Sequence, residues 1–240
     1  MSRILVFMSD NRALQPDFEK ADYNSLVASI NAEYCKKYGY DFIYYRPCIG
    51  KEFNLMNCKN LITGALRHAS WAKLLSTSVA LQGGYDYVVY IDSDCIFKDS
   101  NESLENFIKP HASRDFIFLN NKPWGDDMPC AGFYICKVNH STKRFLSYWY
   151  NYANVPEKDY SHPWEQDSLW QIFRGYQNLV ILDLWSFQEK DQQYIRHVSC
   201  AEGERRMNYF RTGVHNRGID YETVIKGIRV VEYDTLTVTS

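Results

Sequence analysis

The sequence predicts an α/β domain built on a doubly wound, mostly parallel sheet flanked by helices. Three observations carry that reading. The run Tyr85-Asp86-Tyr87-Val88-Val89-Tyr90-Ile91 is apolar on both faces, as a central strand covered by helices on each side must be. Short apolar runs alternate with longer amphipathic stretches, the β–α alternation of a parallel sheet. The chain has 240 residues, 45% of them apolar, with no low-complexity linker or internal repeat, so residues 1–240 are read as a single domain with one sizeable core.

Each element follows from local pattern. Ile4-Leu5-Val6-Phe7-Met8 makes residues 3–9 a first strand, ended by Ser9-Asp10. A helix is expected near 23–38 from the stripe Leu26, Ile30, Ala32 and Tyr34, with Gly39 placed where a helix stops. Asp41 to Tyr45 is a second strand. A second helix is expected over about 66–82, with Trp71, Leu74, Leu75 and Val79 inward and Gly83-Gly84 as terminator. After the central strand come strands at Asp115 to Leu119 and Ala131 to Lys137, then a helix from Ser141 to Tyr152. A helix near 163–174, a strand at Leu179 to Leu182 and a short β-like run at Tyr194-Ile195-Arg196 complete the series.

Composition excludes several classes. With 27 basic against 29 acidic side chains, the net charge of −2 lacks the electrostatic attraction on which nucleic-acid binding depends, so no nucleic-acid polymer is expected as partner. Seven cysteines, at 35, 48, 58, 95, 130, 136 and 200, form no C-x-x-C pair and suggest neither a zinc site nor a disulfide framework. The first apolar run is too short to cross a bilayer and no cleavage site follows it, so no transmembrane segment is expected. The expected setting is cytoplasmic or otherwise soluble and intracellular. The N-x-S/T matches at Asn101 and Asn139 then carry little weight.

In such sheets ligands bind beyond the carboxyl ends of the strands, where Asp92-Ser93-Asp94 follows the central one. Residues two apart in an extended segment face the same way, and two close carboxylates repel each other unless a cation lies between them. Oxygen ligands suit Mg²⁺ or Mn²⁺ shared with a phosphate; the plainer reading is that the acids end a strand and cap a turn. A histidine ligand shifts preference toward Mn²⁺, and His197 is the candidate, with His215 its rival. Arg67 and Lys73, on the expected helix before the central strand, either neutralise diphosphate or form a solvated helix face. In Pro163-Trp164-Glu165-Gln166-Asp167, the acids either complement a helix N-terminus or put one carboxylate into the crevice as a general base or sugar partner.

The order of these motifs is what carries a resemblance. Trp71-x-Lys73 on a helix, the strand to Ile91, Asp92-Ser93-Asp94, Ala131-Gly132-Phe133, Glu165-Gln166-Asp167 and then His197 resembles a GT-A (Rossmann-like) glycosyltransferase. The likeness is to the galactosyl-, mannosyl- and xylosyltransferase group called family 34 and its small soluble relatives, and it spans the first strand to about Phe210. It implies that Ser9 and Asp10 border the nucleoside, that Asp92 approaches the ribose or metal, and that Asp94 and His197 bind the metal. Gly132 would let a sugar approach the backbone. The implied donor is a nucleoside diphosphate sugar, uridine-linked, the acceptor a glycan or other sugar-containing molecule, and the outcome retention; inversion would require Asp167 or Glu165 as base. The chain departs from the anchored relatives in lacking an N-terminal span and in having Val198-Ser199-Cys200 where they have glycine-cysteine after the histidine.

The loop Asn120-Asn121-Lys122-Pro123-Trp124-Gly125-Asp126-Asp127 is either an acceptor wall, since Trp stacks on sugar faces, or an ordinary surface loop. Three rivals share single features. A D-x-D phosphatase would carry its motif near the N-terminus with a small hydroxyl residue after it, whereas Cys95-Ile96 follows here. A sugar nucleotidyltransferase would place a glycine-rich phosphate loop after the first strand, where Asp10-Asn11-Arg12 stands. An inactive sugar-nucleotide-binding module would keep the same fold.

Overall fold

The computed structural model describes residues 2–48, 58–59, 64, 66–98, 101–121, 125–152, 163–183, 194–198 and 203–234. Seven strands form one sheet: β1 (Ile4–Ser9), β2 (Asp41–Cys48), β5 (Tyr87–Ile91), β7 (Phe116–Asn121), β8 (Gly125–Lys137), β9 (Leu179–Leu182) and β11 (Arg229–Asp234). Their order is β11-β2-β1-β5-β8-β7-β9. All neighbours run parallel except those involving β8, which is antiparallel to both β5 and β7. The reversal is forced by chain length, because three residues between β7 and β8 close a hairpin but cannot make a crossover. Two short ribbons accompany the sheet: β3 (Cys58–Lys59) with β4 (Leu66–Arg67), and β6 (Cys95–Phe97) with β10 (Ile195–His197).

Seven helices are described: α1 (Tyr23–Tyr38), α2 (Ala72–Ala80), α3 (Glu105–Ile108), α4 (His140–Tyr152), α5 (Glu165–Ile172), α6 (Gly203–Asn216) and α7 (Tyr221–Gly227). Alternation along the strands sorts apolar side chains to two layers. Val6, Val89 and Ile91 face one core with α1, α6 and α7; Leu5, Phe7, Val88 and Tyr90 face the other with α2, α4 and α5. Helix α1 ends as expected at Gly39, whose left-handed φ of 73° lets its N–H return to the carbonyls of Cys35 and Lys36. Among the described residues, no helix is long and apolar enough to cross a membrane.

Three expectations change. The helix expected from residue 66 begins at Ala72. Leu66–Arg67 is extended, and the His68 side chain accepts from the Ser70 N–H, capping a 3₁₀ turn at Ala69–Trp71 before α2 starts. Strand β8 begins six residues before Ala131, because its first half pairs with Asn120 and Asn121 through register shifts that leave no alternating apolar pattern. The sequence reading also assigned nothing to β6, α3, α6, α7 or β11; β11 is an edge strand, half of it exposed, with Val231 and Tyr233 packed against the core.

Asn31, fully buried on α1, ties β6 to the body of the domain. Its Nδ2 donates to the Cys95 carbonyl at 2.9 Å and its Oδ1 accepts from the Phe97 N–H at 3.0 Å. Replacing it leaves two buried backbone groups unpaired, each costing about 1–3 kcal/mol. Asn31→Ala is therefore expected to lose about 2–4 kcal/mol of unfolding free energy in urea titrations, whereas a surface control such as Lys36→Ala stays within about 0.5 kcal/mol.

Candidate functional site

The carboxyl ends of β1 and β5 open on a cavity of about 590 Å³. Asp92 leaves β5 with its N–H donating to the Gly132 carbonyl of β8 at 2.9 Å. The approach is close: a Cβ on Gly132 would lie 3.0 Å from Asp92 Oδ2 and 3.3 Å from His197 Cε1. Glycine is thus what lets β8 pass close beneath the Asp92 carboxylate and the imidazole.

Lys73 is the charge that organises one side. It is buried, with Nζ 3.0 Å from Asp92 Oδ1 and 2.8 Å from Glu165 Oε1. Burial alone would depress its pKa, but the charges of Asp92 and Glu165 outweigh that and hold the ammonium well above its ordinary range. The Tyr90 hydroxyl donates to Asp92 Oδ1 as well. Glu165 Oε2 is buried and has no hydrogen-bond partner among the described residues.

The other side is an Asp–His pair. The β6–β10 ribbon sets His197 opposite Cys95, and its Nε2 lies 2.9 Å from Asp94 Oδ1. The Val198 N–H donates to the Asp94 carbonyl at 2.9 Å, locking the pairing. Burial would lower the His197 pKa and raise that of Asp94; the attraction between them prevails in both, so the imidazole is held up and the carboxyl down. Arg206 of α6 adds its Nη1 at 3.9 Å from Asp94 Oδ2. Atoms of Asp94, Cys95 and His197 lie within 4.8 Å of one another, a grouping able to hold a metal ion. Burial pushes the Cys95 thiol up, which leaves Asp94 and His197 as the donors suited to a hard divalent ion.

Of the residues singled out in the sequence, Ser9, Asp10, Lys73, Asp92, Asp94, Gly132, Glu165 and His197 line this one cavity. Arg67 and Asp167 do not. Because Arg67 sits on extended β4 rather than on a helix, its guanidinium turns into the core, 3.9 Å from the Trp71 ring, with Nη1 donating to the Tyr150 carbonyl at 2.6 Å. Asp167 lies two residues beyond Glu165 on α5 and so on another helix face, where Oδ2 accepts from Gln171 Nε2 at 2.9 Å. His215 is exposed near the end of α6. Lys122, Pro123 and Trp124 of the expected acceptor loop lie outside the described residues, while Asn120 and Asn121 are buried.

Sequence reasoning missed Arg12, Tyr23, His68, Trp164 and Arg206. The Arg12 guanidinium lies 4.2 Å from the Tyr23 ring and pairs with Asp10 through Nε at 2.9 Å; Arg206 packs 5.0 Å from the same ring. No spacing signal links residues 12, 23 and 206.

No family model and no curated protein matches the chain. Solved structures do. A glycosyltransferase involved in the glycosylation of the major capsid of PBCV-1 superposes with a TM-score of 0.65 at 15% identity, covering 88% of this chain and 99% of that one. The glycosyltransferase GlyE of Streptococcus pneumoniae TIGR4 gives 0.52 at 12% identity, over 94% of this chain and 62% of its own. The chain has the GT-A glycosyltransferase fold. The fold class expected from the sequence is thereby met, and the antiparallel β8 beside β5 is the part of the GT-A sheet that alternation did not reveal.

Within this GT-A fold, Lys73 separates two carboxylates that would otherwise face each other in a desolvated pocket. Lys73→Met is expected to cost about 3–5 kcal/mol, as for other broken buried pairs. Lys73→Met combined with Glu165→Gln is expected to recover part of that loss. A double-mutant cycle by guanidinium denaturation measures the coupling; additive losses would mean that the contact is energetically idle.

Proposed function

We propose that this protein is a metal-dependent glycosyltransferase, moving a sugar from a uridine diphosphate sugar to a sugar-containing acceptor with retention. The observation that carries the reading is the convergence of Asp92, Asp94, Lys73 and His197 on one cavity at the carboxyl end of the central strand, in a fold shared with glycosyltransferases. Asp94 and His197 would hold Mn²⁺ or Mg²⁺, which when bound supplies Lewis-acid stabilisation for charge developing on a departing diphosphate.

The chain's own residues do the rest. Lys73 fixes the Asp92 carboxylate, so that it meets the donor preorganised rather than reorienting on binding. Ser9 and Asp10, at the end of β1, border the nucleoside, and the Asp10–Arg12 pair with the Tyr23 ring closes that end. Holding the acceptor hydroxyl at the reacting carbon, with water excluded, supplies much of the remaining rate enhancement. Asp167 is turned elsewhere and Glu165 Oε1 is committed to Lys73, so within this segment an inverting base would have to be Glu165 Oε2; the retaining outcome is carried by the family likeness alone.

The reading places the protein in a reducing interior, in keeping with six buried cysteines that remain thiols. Its expected partners are the nucleotide sugar and a glycan, with no nucleic-acid polymer.

Two measurements test it. Uridine diphosphate with Mn²⁺ is expected to raise the melting temperature of the wild type, and Asp94→Ala to abolish the Mn²⁺-dependent part of that shift. In a donor screen Asp94→Ala is expected to lower transfer by about 100-fold or more, since removing charge stabilisation typically costs that much. Wild-type turnover that persists without divalent ions would refute the metal assignment. The anomeric configuration of the product, read by NMR, checks retention.

A further inference from the structure

Trp164 occupies a backbone position that suits glycine. The Gln166 N–H donates to the Pro163 carbonyl at 3.0 Å, closing a four-residue turn around Trp164 and Glu165. Trp164 has φ 48° and ψ −116°, the first central position of a type II′ turn, where glycine is the residue without steric cost. Among the described residues it is the one non-glycine with positive φ. The turn itself has no use for an indole, so an unfavourable conformation at a cavity wall points to what the side chain does.

The side chain lies flat on His68. The two ring centroids are 4.1 Å apart with planes 4° from parallel, and both residues line the cavity that holds Asp92 and Lys73. His68 is held in place from behind: its Nδ1 accepts from the Ser70 N–H at 3.2 Å and lies 3.1 Å from the Ser70 hydroxyl. With Nδ1 an acceptor, the proton of the neutral ring sits on Nε2, where it is a donor. A rigid aromatic slab with a fixed N–H donor beside it matches a pyranose, whose C–H face packs on aromatic rings while its rim hydroxyls take hydrogen bonds.

We propose that the Trp164–His68 stack is a pyranose-binding platform that sets sugar specificity in this cavity. The proposal rests on the transferase reading above for the identity of its substrates, though not for the binding itself. A sugar reaching the platform is either the acceptor's terminal ring or the donor's transferred ring, and the two share the same recognition chemistry.

Trp164→Gly separates a platform from a structural prop. Glycine relieves the turn but gives up the indole's packing against the core that α2, α4 and α5 share, so the thermal midpoint is expected to fall modestly, while KM for the sugar that uses the platform rises about tenfold or more. Trp164→Phe, which keeps an aromatic face, is expected to recover most of that loss. A rise in acceptor KM assigns the acceptor ring, and a rise in donor KM the transferred ring; either supports the platform. Independently of turnover, titration with methyl hexopyranosides and methyl xylopyranosides is expected to change indole emission in the wild type, with the change lost in Trp164→Phe. Unchanged KM values in an active Trp164→Gly protein, or a lowered midpoint with both KM values intact, would overturn the proposal. A wild type that transfers nothing from any donor, yet still shows the Trp164-dependent emission change, would instead sink the transferase reading alone.

Discussion

A single buried ammonium underlies the architecture of the cavity. Lys73 sits beneath the floor with Asp92 on one side and Glu165 on the other, within 3.0 Å of an oxygen of each, and it keeps two like charges apart. The three charges come from α2, the end of β5 and the first turn of α5, which approach one another only in the folded chain. The contact is therefore a registration device as much as a stabilising one. It couples the helix layer on one face of the sheet to the strand end that carries the D-x-D pair, and it holds Asp92 in a fixed orientation while the other acid, Asp94, is served by a different partner.

That second partner arrives by backbone pairing. The β6–β10 ribbon is three residues long on each side, too small to be stable alone, and it survives because Asn31 and the α1 layer pin β6 from beneath. Its register sets His197 across from Cys95 and so beside Asp94. Gly132 completes the arrangement by contributing nothing beyond Cα, since any larger residue would meet Asp92 and His197 at once. Two acids two residues apart are thus held by two unlike mechanisms, a buried cation for one and strand register for the other.

How far the sequence reached follows from the same physics. The central strand, the first strand and α1 were legible because burial on both faces, or a glycine stop, leaves a local signature. Asp92, Asp94, Lys73, Glu165 and His197 were legible as an ordered set, though nothing local said that Lys73 would bridge two of the others. Arg67 was misread because a helix was extended backwards through a 3₁₀ turn, which turned a core arginine into a surface one on paper. Asp167 was paired with Glu165 as an alternative although a helix points residues two apart in different directions. Arg206 and Tyr23 were invisible for another reason: one lies on a helix with just Phe210 and Val214 buried, and both reach the site through tertiary contacts that no spacing encodes.

Among the described residues, the charges in and against the cavity pair off. Asp10 is answered by Arg12, Asp92 and Glu165 share Lys73, and Asp94 has the protonated His197 with Arg206 behind it. Four acids thus meet four bases, so these pairs leave little net charge to draw in a free polyanion. A divalent cation entering at Asp94 and His197 must displace the imidazole proton, because a ligating nitrogen has to be neutral. The exchange adds two charges and removes one, leaving the pocket one unit more positive at the place where a diphosphate would lie. On the proposed reading, cation and diphosphate therefore reinforce each other's binding, and by linkage each raises the other's affinity by the same factor. On the same reading, a pocket balanced in this way would hold stray phosphate weakly and would take a nucleotide sugar only together with the cation.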